Sequence, residues 1–144
     1  MTDYEISQEI FSLLSKAGES LGFKWNLWHG GTRRRSSKII ELSGSINCLI
    51  YFKIRSSEPY RWGVTANRID ELNKSNKRWF TILFYESPEA GYLISQEEVA
   101  KYISIWALGS DGDYKVGPGS YLQFHRPFNS FSELLDRLIK QCKV

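Results

Sequence analysis

Cysteine, methionine, histidine and proline are all scarce in this chain of 144 residues, which has two Cys, one Met, two His and four Pro. Two cysteines, Cys48 and Cys142, are too few for a disulfide framework, and their spacing is not that of a zinc site. They read as reduced thiols, which places the chain in a reducing compartment. The two histidines, His29 and His125, stand far apart in sequence, and no Ser-His-Asp or Cys-His arrangement can be built on them. No run approaches the ~20 apolar residues of a membrane span. Met1 to Gln8 lacks the cationic-then-apolar pattern of a secretory leader, so the expected location is cytoplasmic. Residues 109–119 are glycine-rich but do not end in the Lys-Ser/Thr of a phosphate-binding P-loop. Asp111-Gly112-Asp113 opens like a calcium loop, lacks the later ligands, and reads as a solvated turn.

What the chain does have is apolar and aromatic mass: 42% of residues are hydrophobic and 15% aromatic, with five Trp, eight Tyr and eight Phe. That is enough for a largely aromatic core without staples, and the length suits a single α/β domain spanning 1–144. The net charge of +3 hides a pattern. Residues 33–78 carry eleven Lys or Arg against four acids, while the segments on either side are each net negative. Charge concentrated in this way is the footprint of a polyanion partner, provided that folding gathers it on one surface.

Hydrophobic spacing sets the elements. Ile6, Ile10, Leu13, Leu14 and Ala17 predict an amphipathic helix over 4–17, capped by Thr2 or Asp3 and closed by Gly18 and Gly22. Short strands follow at 23–28 and 38–42. Residues 46–55 are almost unbroken apolar, the pattern of a strand covered on both faces. The segment 56–63, with Pro59 and Gly63, reads as loop. Thr65 caps a helix to about Lys74, and Trp79 to Tyr85 is a second strongly apolar strand. A short strand over 92–94 precedes Ser95 and Glu98, which form a capping box with Ile94 and Val99 as its hydrophobic staple. Residues 109–120 read as loop. Ser130 and Glu133 repeat the capping box and begin a last helix, with Leu134, Leu135, Leu138 and Ile139 inward. Two strands joined through a helix make a βαβ unit. The expected architecture is therefore α/β, with a central mixed sheet of about five strands flanked by helices.

The strand 48–55 also carries the chemistry. Leu49, Tyr51, Lys53 and Arg55 share one face by strand alternation. A lysine on so apolar a strand is costly unless its head reaches water or an anion. The plainer reading is a strand end leaving the core with Lys53 snorkelling; the functional one is a cation beside a phosphate. Arg33, Arg34 and Arg35, followed by Ser36, Ser37 and Lys38, read either as a solvated loop or as phosphate contacts, with Arg55 and Arg61 further along. Trp25, Trp28 and Trp62 lie near cations, and are either core or platforms for unpaired bases.

A helix, a three-stranded meander and a βα unit over roughly residues 4–94 resemble the core of the PD-(D/E)XK, or restriction-endonuclease-like, nucleases. In that family the third strand carries an acid-x-Lys motif, the preceding strand another acid, and the first helix often a Glu. Lys53 matches the lysine, Glu41 the acid of the preceding strand, and Glu9 (or Glu5) the helix acid. Tyr51 stands where the motif has its second acid. The resemblance implies a Mg²⁺ cofactor on Glu41, with Lys53 and Glu9 as catalytic partners, or else an inactivated relative that binds nucleic acid, DNA before RNA, without cutting it. The alternative is a non-catalytic protein-interaction domain, whose surplus of Tyr and Trp marks a partner or homodimer surface.

Overall fold

The computed structural model of the chain describes residues 1–28, 39–117, 119, 122 and 125–142. Helix α1 (Asp3–Leu21) starts on a full capping box, in which Thr2 and Glu5 each bond the other's backbone N–H. It outruns the expected end at residue 17 because Gly18 tolerates close packing: a Cβ there would fall 2.4 Å from the carbonyl oxygen of Phe23. Gly22 then ends the helix at φ 84, a left-handed conformation that glycine adopts without steric cost, and returns its N–H to Gly18.

Strands β1 (Phe23–Leu27), β2 (Ile39–Gly44) and β3 (Cys48–Arg55) form an antiparallel meander. Strand β4 (Trp62–Thr65) leads into α2 (Ala66–Asn73), and β5 (Trp79–Tyr85) returns parallel to β3. Strand β6 (Gly91–Ser95) pairs antiparallel with β5 and feeds α3 (Gln96–Tyr102) through the Ser95–Glu98 capping box. Two short strands, β7 (Ala107–Leu108) and β8 (Asp113–Val116), precede α4 (Phe131–Cys142). The main sheet is five-stranded in the order β1-β2-β3-β5-β6, which puts the βαβ strand β3 at its centre.

A second sheet, ordered β4-β8-β7, was not expected. Residues 109–120 are not all loop, and β4 begins inside the segment read as loop. The glycines there are compatible with strand because the pairing comes from far away in sequence: Trp62 pairs with Val116 and Thr65 with Asp113.

The core lies on both faces of the main sheet. On one face Ile40, Ile50, Phe52, Phe80, Ile82 and Phe84 meet Ile6, Ile10 and Leu14 of α1 and Leu134, Leu135 and Leu138 of α4. On the other, Ile39, Leu49, Tyr51, Trp79, Leu83 and Ile94 meet α2, α3 and the small sheet through Ile69, Leu72, Val99, Trp62, Val64 and Val116. Cys48 and Cys142 are free thiols, and their side chains hydrogen-bond where the end of α4 meets the start of β3. No described helix is long and apolar enough to cross a membrane.

Candidate functional site

Alternation along β3 sorts its side chains as expected. Cys48, Ile50, Phe52 and Ile54 join the α1/α4 core, and Leu49 and Tyr51 the other. Lys53 and Arg55 continue the second row, both half-buried. Tyr51 is buried, and its phenolic oxygen accepts the backbone N–H of Thr65 at 3.1 Å, tying β3 to the end of β4. Thr65 occupies the cap position of α2 without a side-chain cap bond. Burial pushes the Tyr51 phenol up; the bonds from Thr65 act against that shift, the Asp113 carboxylate adds to it, and Arg68 offsets a part.

Burial pushes the Lys53 ammonium down from its ordinary 10.5, and Asp113 partly restores it. Asp113 is the carboxylate whose field reaches both Tyr51 and Lys53. It stands on β8 opposite Thr65, in a space that Gly63 leaves free: a Cβ on Gly63 would fall 2.7 Å from Asp113 Oδ2. Sequence reading missed it, taking Asp113 for part of a solvated turn. Its alternation with Lys115 along β8 was the one local signal available.

The register separates the predicted acids from the lysine. Tyr51 lies between Ile39 on β2 and Thr81 on β5, so the β2 position beside it is apolar. Glu41 faces Leu49 instead. Leu49 and Lys53 are four residues apart, which sets Glu41 roughly 13 Å along the sheet from the level of Lys53. The Glu41 carboxylate pairs with Lys77 at 3.0 Å. Glu9 is half-buried on α1, the helix that covers the opposite face of the sheet. Glu9, Glu41 and Lys53 are therefore not brought into one cleft.

Magnesium in the resembled nucleases needs two carboxylates converging on one ion. Here the position that the resemblance assigns to one of them holds Tyr51, its β2 neighbour is Ile39, and Glu41 is committed to Lys77. Among the described residues no group of three His, Cys, Asp or Glu could hold a metal. Residues 29–38 supply His29 but no carboxylate. The donor set does not fit the ion, and no step through a metal follows from it.

The cations of the middle third divide sharply. Arg68 pairs with Glu71, Lys74 with Asp70, Lys77 with Glu41, and Arg78 with Glu97. Lys53, Arg55 and Arg61 have no ion pair among the described residues. Arg33, Arg34, Arg35 and Lys38 lie outside the described residues. The three tryptophans offered as stacking platforms are engaged otherwise. Trp28 and Trp62 are buried, and Trp25 stacks on Phe11 at 4.7 Å with its Nε1–H given to Ser15.

No protein-family model and no curated protein matches the chain. Among solved structures it is similar to Hjc, a Holliday junction resolvase from the archaeal hyperthermophile Archaeoglobus fulgidus, with a TM-score of 0.50 and 9% identity over 93% of this chain and 98% of that one. The chain has a restriction-endonuclease-like core. On its central strand Lys53 lies two residues beyond Tyr51, which is buried opposite the equally buried Ile39 of β2.

Proposed function

We propose that this domain binds nucleic acid, DNA in the first instance, on a nuclease-like scaffold whose carboxylate–metal centre has been lost. The observation that carries the reading is Lys53: a half-buried ammonium on the central strand with no ion pair among the described residues. An ammonium held partly out of water is stabilised by an anion brought to it. Backbone phosphates supply such anions in series, and Arg55 and Arg61, likewise without an ion pair among the described residues, can meet the next ones. Arg33, Arg34, Arg35 and Lys38 extend the same footprint in sequence. The replaced acid at Tyr51 favours binding over hydrolysis, because no carboxylate pair is left to steady a metal and its water.

The reading is tested by filter binding to a DNA duplex across a salt series. The logarithm of affinity should fall linearly with that of salt, and Lys53→Ala should weaken binding and reduce the slope by about 1. Binding that is absent, or indifferent to salt, overturns it. Plasmid incubated with Mn²⁺ should stay intact; nicking by the wild type that Lys53→Ala abolishes would restore an active endonuclease.

A further inference from the structure

Next to Lys53 and Arg55 lies a cluster of rings with no part in the phosphate reading. In register across the sheet, Lys53 sits opposite Leu83 and Leu83 opposite Tyr92; one step further, Arg55 sits opposite Tyr85. Tyr85 packs on Tyr60 at 5.1 Å and on Tyr92 at 6.1 Å between ring centroids. Behind them Trp62 is buried, touches Tyr85 and Tyr92 at 6.4 and 6.3 Å, and is anchored by its Nε1–H to the carbonyl of Phe84 at 3.0 Å. Tyr60 is fixed by donating its hydroxyl to Glu86. The three tyrosines are only half-buried, and the hydroxyls of Tyr85 and Tyr92 have no hydrogen-bond partner among the described residues.

We infer that Tyr60, Tyr85 and Tyr92 form a stacking platform for unpaired bases, so that the preferred ligand is a single-stranded segment whose phosphates rest on Lys53 and Arg55. The inference rests on the nucleic-acid reading above and narrows it to a substrate class. Rings braced by a buried Trp lose little freedom when a base stacks on them, and aromatic stacking accepts any base because each has a π-face. A closed duplex offers its phosphates but keeps its base faces stacked inside. An acidic peptide offers charge without flat faces. Glu58 and Glu86 put negative charge beside Tyr60, which directs the phosphate path to the Lys53–Arg55 side and leaves the tyrosines to the bases.

Fluorescence anisotropy with labelled oligothymidylate, and with a duplex of equal length, tests this. Tyr85→Ala should weaken single-strand binding about tenfold and leave duplex binding within about twofold, while Tyr85→Phe keeps both. Tyr92→Ala, on the neighbouring strand, should repeat the pattern, and serves alone if Tyr85→Ala melts early. Equal loss on both ligands, or no loss on either, overturns the platform. Salt-dependent binding that ignores the tyrosines sinks the platform alone. Absence of binding to either ligand sinks the phosphate reading with it.

Discussion

The two faces of the main sheet are built to different rules. Along β3 the face toward α1 and α4 reads Cys48, Ile50, Phe52, Ile54, and along β5 Phe80, Ile82, Phe84. The opposite face reads Leu49, Tyr51, Lys53, Arg55 and Trp79, Thr81, Leu83, Tyr85. The first is closed and apolar from end to end. The second begins apolar and becomes polar and cationic toward the ends of both strands. It also holds Thr81, fully buried beside Tyr51, whose hydroxyl finds no partner among the described residues. A face optimised only for stability would not keep that hydroxyl and a half-buried ammonium with no ion pair among the described residues on adjacent central strands, since each costs free energy that an apolar residue would not. Both faces carry a buried core, but only the second passes from core into the candidate site.

The largest expected effect comes from the closed face. Phe52 is buried and meets Phe11 and Phe84 edge-on at 5.8 and 6.4 Å. Phe52→Ala should cost about 3–5 kcal/mol, read as a fall in the urea midpoint at unchanged slope. A loss as small as that of a surface substitution would mean that this face is not the rigid half, and the contrast would fail.

The polar face should behave in the opposite sense. Lys53→Met removes an ammonium held against its desolvation cost while keeping a side chain of similar length, and should raise stability at pH 7 by about 1 kcal/mol. The gain should depend on pH. With the folded-state pKa of Lys53 pushed below 10.5, the unfolded chain binds the proton more tightly than the folded one in the window below 10.5. Wild-type stability therefore rises with pH through that window by this group's contribution, and the advantage of Lys53→Met shrinks as pH approaches 10.5. Thermal melts of both proteins at pH 7 and pH 10 compare the two gaps. A gap that widens with pH would mean that Lys53 is not desolvated.

How much of this contrast could be read from sequence follows from the range of the forces involved. The Ser95–Glu98 box and the bounds of β5 were legible because capping and a long apolar run are local signals. The shared face of Tyr51, Lys53 and Arg55 was legible because strand alternation has a fixed period. The second sheet was not, since β4 joins it only by pairing with β8 across some fifty residues of chain. Asp113 was missed for the same reason: nothing near it in sequence places it by Lys53. Ser130 does bond the N–H of Glu133, but Glu133 answers to Asn129 rather than to Ser130, so the second capping box is shifted by one residue.

Glu41 is the clearest case of a residue whose meaning lies in register. Its type, and its strand, matched the acid of the resembled nucleases, yet strand type does not say which neighbour it faces. The pairing of Glu41 with Leu49, rather than with a residue nearer Lys53, turns a candidate metal ligand into half of an ion pair with Lys77. Both partners are partly exposed, and such pairs contribute little. Glu41→Gln should therefore lower stability by less than about 1 kcal/mol, and the melting temperature should be the same with and without millimolar Mn²⁺ in both proteins. A Mn²⁺-induced rise in the wild type that Glu41→Gln removes would indicate a bound ion by mass action. It would put a metal centre back on the polar face, and give the two faces a difference in chemistry beyond their difference in packing.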